Sequence, residues 1–327
     1  VQNRVLRTHS LAVAVKPRSI ARPVGSSDNG SGFETARAAL SIAKILAPVT
    51  GGPRDAAVLA NAIVAARPFN AHVVAFFVRP DLSETLAFFT DGVSGVVVEE
   101  VVKATQDAGD EASKRIDATI ASACSEAAVE RVRNPVRSDH VTLSLREAQG
   151  SFGDQLTAAA RLADLIVFGP MREGDQAGLA EAFVQVLVET DKPVLRATDQ
   201  APKSFARRIA IGWDGKSAAA QAMSAAIPYL QRADHVEVLS VQRAPLRTNA
   251  TEGVKDYLKL HGISSTERLI DAGSKRIGQV LLEAAGEGGA DLLVLGGYGR
   301  GRLRESLIGG VTRHVIAHAG IAVFMVH

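Results

Sequence analysis

An internal repeat narrows the folds open to this sequence more than anything else in it. Ala163-Asp164-Leu165-Ile166-Val167-Phe168-Gly169 reads against Ala290-Asp291-Leu292-Leu293-Val294-Leu295-Gly296, each an acid, a continuous apolar run and a stop at glycine. Such runs suit strands buried on both faces of a parallel sheet, and self-similarity at this distance marks a duplicated unit. The surroundings repeat too. Lys44-Ile45-Leu46-Ala47-Pro48-Val49 opens the first half as Arg208-Ile209-Ala210-Ile211-Gly212-Trp213 opens the second, and each run leads through a Gly-containing turn into an Ala-rich helical stretch.

Second strands are expected at Ala71 to Val78 and His235 to Val241, third strands near Val141 to Leu145 and Glu267 to Ile270, and last strands near Pro193 to Arg196 and Ile321 to Val326. Each half thus alternates strand and helix, which under the right-handed crossover rule predicts α/β architecture: two tandem, doubly wound, five-stranded parallel-sheet domains. The boundaries expected are 41–200 and 204–327, with the junction around Lys203. Between its second and third strands the first half carries a long excursion, Arg79 to Asn134, with a helical pattern from Val101 to Ala127; an elongated packing helix is the preferred reading, and a short extra strand at Val93 to Val98 is the alternative. Residues 1–40 are expected to be a disordered basic extension, since Val1 to Gly32 hold five Arg or Lys but only one acid, Asp28.

With 327 residues, two cores of ordinary size are affordable. The 37 basic and 35 acidic residues nearly cancel, so no broad cationic field favours nucleic acid as a partner. Cys124 is the single cysteine, which removes internal disulfides and cysteine-based zinc sites and is consistent with a reducing, cytoplasmic setting. No uninterrupted apolar stretch reaches the length of a membrane-spanning helix, so no membrane partner is expected.

The chemistry of the sequence concentrates after the fourth strand of the second half, in Gly296-Gly297-Tyr298-Gly299-Arg300-Gly301 through Leu307-Ile308-Gly309-Gly310-Val311-Thr312. A glycine-rich turn at the carboxyl end of a buried strand lets backbone N–H groups approach phosphate oxygens, and a helix opening near Gly309 to Val311 would present its positive end. In open α/β folds this edge is where ligands bind. Neither a dinucleotide-type Gly-x-Gly-x-x-Gly after a first strand nor a P-loop occurs.

Gly296, Gly299 and Gly309 have the spacing Gly, two residues, Gly, nine residues, Gly, and with the flanking Asp291 to Leu295 and Val311 to Ile316 they resemble the universal stress protein family over residues 44 to 327. The resemblance implies an adenine nucleotide alpha hydrolase-like fold in tandem form. It implies a regulatory role in stress response and binding of ATP or a related adenine nucleotide, with or without magnesium. In that picture Asp214 meets the ribose or adenine side, Val241 offers a backbone contact to the base, and Gly296, Gly299, Gly309, Gly310 and Val311 surround the phosphates. Family members often pair through their last strands. Here Val194 to Arg196 and Val323 to Val326 are expected to pair internally as a pseudo-twofold dimer, leaving further homo-oligomerisation open.

Gly310 departs from the pattern, standing where the family has Ser or Thr, and the lost hydroxyl implies weakened binding. The first half departs further: Pro170 removes an N–H from Gly169-Pro170-Met171-Arg172-Glu173-Gly174, and Thr50 stands in place of Asp214. A nucleotide-free interaction scaffold is the competing reading. A slow ATP hydrolase is a third, against which stands the absence of any matched nucleophile and base, and catalysis is not expected. Arg300, Arg302 and Arg304 are candidate polyphosphate contacts or a solvated basic loop, and Arg313 reads as a surface charge. Trp213 is a candidate stacking partner or a packed aromatic. His314 and His318 lie four apart without an evident third metal ligand, and Cys124 reads as packing.

Overall fold

The structure is a computed structural model that describes residues 41–79, 95–171, 177–243, 251–297 and 310–327. In chain order the first half contains β1 (Lys44–Val49), α1 (Asp55–Ala66) with a 3-10 turn (Arg67–Phe69), β2 (His72–Arg79), α2 (Gly95–Ala127), β3 (Glu130–Arg131), β4 (Thr142–Gln149), α3 (Phe152–Ala160), β5 (Leu165–Phe168), α4 (Ala177–Glu189) and β6 (Val194–Arg196). The second half contains β7 (Arg208–Gly212), α5 (Ser217–Leu230), β8 (His235–Gln242), α6 (Val254–Leu260), β9 (Thr266–Asp271), α7 (Ile277–Glu287), β10 (Leu292–Gly296), α8 (Gly310–His318) and β11 (Ala322–Val326).

All the described strands join one sheet in the order β3-β4-β2-β1-β5-β6-β11-β10-β7-β8-β9. Apart from the tiny β3, the order read outward from the centre is the same in both halves. The two inner strands meet antiparallel, Val323 opposite Arg196, Phe324 opposite Leu195 and Met325 opposite Val194, whereas every other described pairing is parallel. This is the expected internal pairing of last strands, and it gives the chain its pseudo-twofold form.

The apolar runs serve two cores because successive strand residues face opposite sides of the sheet. Ile209, Ile211, Leu292 and Val294 pack on one side, under α1, α2 and α5. Ala210, Leu293 and Leu295 pack on the other, under α3, α4, α7 and α8. The acid that begins each repeat has a structural task. Asp164 accepts hydrogen bonds from the amides of Ala43 and Lys44, both 2.9 Å, and Asp291 does the same for Arg207 and Arg208 at 3.0 and 3.1 Å. Each carboxylate thereby ties the start of its half's first strand to the start of its fourth. Asp291→Ala is expected to lower unfolding free energy by about 1 kcal/mol, two exposed amides reverting to water, and a urea denaturation curve would check it.

The proposed extra strand at Val93 to Val98 is not formed: from Gly95 onward the chain is already in α2, and 93–94 lie outside the described residues. The stripe Ala112, Ile116, Ile120 and Cys124 is buried at a spacing of four, so the helical period of the long excursion continues upstream and overrides the β-propensity of its valines. The additional strand is instead β3, two residues beside β4. Cys124 is buried as expected, and burial pushes its thiol up. The proposed disordered extension, 1–40, lies outside the described residues.

The halves are also fastened by side chains. Tyr229, buried in α5, donates a 2.9 Å hydrogen bond from its hydroxyl to the carbonyl of Ala65 in α1, and its ring makes edge contacts with Phe69, Phe205 and Phe324. Arg196 of β6 donates to the carbonyl of Ala319, just past α8, at 2.7 Å, which places a cation at that helix's negative end. Among the described residues, no helix is long and apolar enough to cross a membrane.

Candidate functional site

The carboxyl ends of β8, β7 and β10 are adjacent in the sheet. Gly212 is level with Leu239 on one side and Leu295 on the other. Asp214, two residues past Gly212, Val241, two past Leu239, and Gly296, one past Leu295, therefore lie along one edge of neighbouring strands spaced about 4.8 Å apart. Trp213 donates its amide to the carbonyl of Leu239 at 2.9 Å and packs, half-buried, against the core, the commoner of its two anticipated uses. Asp214 caps its own turn: Oδ1 accepts the Lys216 amide at 3.0 Å, and Oδ2 pairs with Lys216 Nζ at 3.0 Å with both side chains largely exposed.

The glycines differ in what they do. A side chain on Gly296 would lie 2.6 Å from backbone atoms of Ala218 and Ala219 in the first turn of α5, so this glycine is required by the packing of helix on strand. The amide of Gly297 is taken by the carbonyl of Val326 at 2.7 Å and is not open to a ligand. Among the described residues, nothing lies within 4 Å of where a side chain on Gly310, the first residue of α8, would be. Gly299 and Gly309, and with them Arg300, Arg302 and Arg304, lie outside the described residues.

Gly310 and Val311 line a cavity of about 520 Å³ between the start of α8 and the start of α7. Its walls carry Arg243, Arg276, Arg313, His314 and His318. Arg313 was anticipated as a surface charge; it is exposed on α8 and also lines this space. Arg243, one residue past β8, and Arg276, one residue before α7, were not foreseen. The signal available in the sequence was their position, basic residues at the carboxyl ends of parallel strands. Asp214, Val241 and Gly296 are not among the cavity's walls. His314 and His318 stack at 4.2 Å, and His318 Nδ1 lies 2.9 Å from the carbonyl of His314. Burial, then the neighbouring His318 and Arg276, hold the His314 imidazole below its usual range. Among the described residues no group of three or more His, Cys, Asp or Glu side chains is arranged to hold a metal.

The first half shows what has changed at the equivalent edge. Thr50 and Gly51 correspond to Asp214 and Gly215, and both glycines have φ of +76°. The amides of Thr50 and Gly51 donate to the carboxylate of Asp55, at 3.1 and 2.7 Å, so an internal anion already occupies that turn. Ala219 stands at the corresponding place in the second half. The long α2 then closes over the turn: a side chain on Gly51 would lie 2.9 Å from Ala112, and Arg115 donates to the carbonyl of Gly51 at 2.8 Å. Among the described residues, nothing lies within 4 Å of where a side chain on Gly215 would be. Beside the closed turn lies a cavity of about 670 Å³ whose walls are mainly apolar, including Val49, Phe77, Val101, Phe152 and Leu179.

Comparison with known proteins gives a consistent answer. Residues 206–327 match the model of the universal stress protein family. Among solved structures, a universal stress protein from Archaeoglobus fulgidus aligns over 86% of this chain and 97% of its own, with TM-score 0.65 and 14% identity. A putative universal stress protein from Pseudomonas aeruginosa aligns over 88% and 94%, with TM-score 0.54 and 14% identity. No curated protein matches the sequence. At such identities the structures speak to fold alone, and they share it across both halves. Residues 206–327 are thus similar to the universal stress protein family, and the fold of the two solved structures extends across both halves in a single sheet.

Proposed function

We propose that this protein is a nucleotide-responsive regulatory module in which the second domain, 204–327, binds an adenine nucleotide and the first, 41–200, serves as a built-in dimer partner. The observation that carries this reading is the asymmetry of the two turns: the first is filled by Asp55 and covered by α2, while among the described residues nothing lies within 4 Å of where a side chain on Gly215 would be. Support comes also from the family match of the second half and from Asp214, Val241 and Gly296 falling on one strand edge. The ligand class fits an edge that offers an acid for a ribose hydroxyl and a helix amino terminus for phosphate.

Calorimetric titration with ATP tests the proposal. Saturable binding weakened at least tenfold by Asp214→Ala is expected, and a flat titration of the intact protein removes the reading. Gly310→Ser supplies the hydroxyl that the family pattern has at this place. Its side chain meets none of the described residues within 4 Å, and one hydrogen bond to a charged group contributes about 1.5 to 3 kcal/mol, so affinity should rise by about tenfold or more. The scaffold reading is favoured by Gly310 itself. It predicts that neither substitution changes anything but stability.

A further inference from the structure

The cavity of about 670 Å³ at the carboxyl ends of β1 and β2 lies in the half that the nucleotide reading leaves without a ligand. Its size falls within the roughly 300 to 1,000 Å³ of sites for organic molecules, and this edge of a parallel sheet is where open α/β folds hold them. What it lacks is the means to grip a phosphate. The amides of Thr50 and Gly51 are given to Asp55, and the polar side chains among the described walls are Thr50, Thr105 and Arg115. Two of these are engaged within the protein: the Thr50 hydroxyl donates to Asp55 at 3.4 Å and the Thr105 hydroxyl to the carbonyl of Val101 at 2.8 Å. The other described walls, from β1, β2, α2, α3 and α4, are apolar side chains and glycines.

Arg115 is the exception. Its Nε donates to the carbonyl of Gly51 at 2.8 Å, which holds the guanidinium beside the closed turn. Among the described residues its terminal nitrogens have no hydrogen bond or ion pair. The acids closest to it along α2 are engaged elsewhere, Glu111 with Lys114 at 2.8 Å and Asp117 with Arg131, and no acid is among the cavity's described walls. An apolar cavity takes hydrocarbon favourably because both surfaces leave water. A planar fork with free N–H groups at its margin matches a carboxylate.

We propose that this cavity binds an amphiphilic monocarboxylic acid of the fatty-acid class, its alkyl chain along the apolar walls of β2 and α2 and its carboxylate on Arg115. The site is independent of the nucleotide reading, since it lies in the other half and recognises a different chemistry.

Calorimetry of the full chain with octanoate, decanoate and dodecanoate, each below its micelle-forming concentration, is the test. Saturable binding that tightens about three- to fourfold per buried methylene is expected. Ala108→Phe puts a ring into the cavity from an exposed position on α2 and should weaken decanoate at least tenfold. Ala104→Phe does the same from one turn earlier, and unfolding curves would verify that both variants keep the fold. Arg115→Gln should weaken decanoate at least fivefold while leaving 1-decanol within twofold. No saturable binding, as when another part of the chain fills the cavity, or binding that both ring variants leave unchanged, overturns the site. Equal effects of Arg115→Gln on acid and alcohol overturn the assignment of a carboxylate to Arg115. Displacement of decanoate by ATP would make this a nucleotide cavity and also overturns the proposal. Saturable decanoate binding beside a flat ATP titration supports it and counts against the nucleotide reading alone.

Discussion

Replacing Gly296 by alanine is expected to destabilise the protein by about 3 kcal/mol, a large effect for one added methyl group. That methyl would sit 2.6 Å from the Ala218 carbonyl carbon and the Ala219 amide nitrogen, and 3.0 Å from the Ala218 side chain. Two of these are backbone atoms of the first turn of α5, which no rotamer change can move. Either α5 lifts from the sheet or β10 shifts within it, and β10 is held on both sides by β7 and β11. Gly310→Ala is the matched control. Its methyl meets none of the described residues within 4 Å at the start of α8, and alanine's better helix propensity makes the expected change zero to slightly stabilising. Chemical denaturation of the two variants beside the parent would decide it. Equal stabilities would mean that Gly296 does not owe its identity to packing.

The second large effect is expected at Tyr229. Truncation to alanine removes a ring that is buried completely and touches Phe69, Phe205 and Phe324, leaving a void where the halves meet, at a cost of about 3 to 5 kcal/mol. Tyr229→Phe keeps the ring but orphans the Ala65 carbonyl, which accepts the hydroxyl at 2.9 Å, and about 1 to 2 kcal/mol is expected. Burial pushes the phenol upward from its ordinary value, so it stays neutral and this loss should not vary between pH 6 and 9, given an ordinary tyrosine pKa of about 10. The contacts draw on α1, α5 and β11, so thermal unfolding of the alanine variant should remain a single transition at lower temperature. Two separated transitions would show that the halves are stabilised independently of this cluster.

Together these predictions separate two meanings of glycine within one motif. Gly296 is a contact point between strand and helix, and Gly310 is uncrowded by any described residue. Their spacing in the sequence is the same whichever role each plays, and only the distance to α5 tells them apart. The same holds for the acids. Asp55 and Asp214 each follow a first strand, yet the first is buried and fills its own turn while the second is half exposed.

The duplicated strands were readable in advance because burial on both faces of a parallel sheet leaves a continuous apolar run, a signature carried by local sequence. Lys44 to Val49, Leu165 to Phe168 and Leu292 to Gly296 fall where those runs predict. The pairing of the last strands was readable as an expectation from resemblance, and the antiparallel register of Val323 with Arg196 realises it. The elongated packing helix preferred for the excursion is present as Gly95–Ala127, and the short strand also weighed for Val93 to Val98 is excluded from Gly95 onward, where the buried stripe Ala112, Ile116 and Ile120 holds the chain helical.

What only the tertiary structure decided is charge and access at the sheet's edge. Arg243, Arg276 and Arg313 lie far apart in the chain, at or near the ends of three different elements, and gather because the parallel strands of the second half put their carboxyl ends on one side. The closing of the first turn by Asp55 and α2 depends on long-range packing of a helix against a turn, with no described residue playing that part beside Gly215. Sequence determined the strands because hydrophobic burial leaves a local pattern; the candidate site was left to tertiary structure because electrostatic convergence and steric access are properties of distance between residues that the chain itself keeps apart.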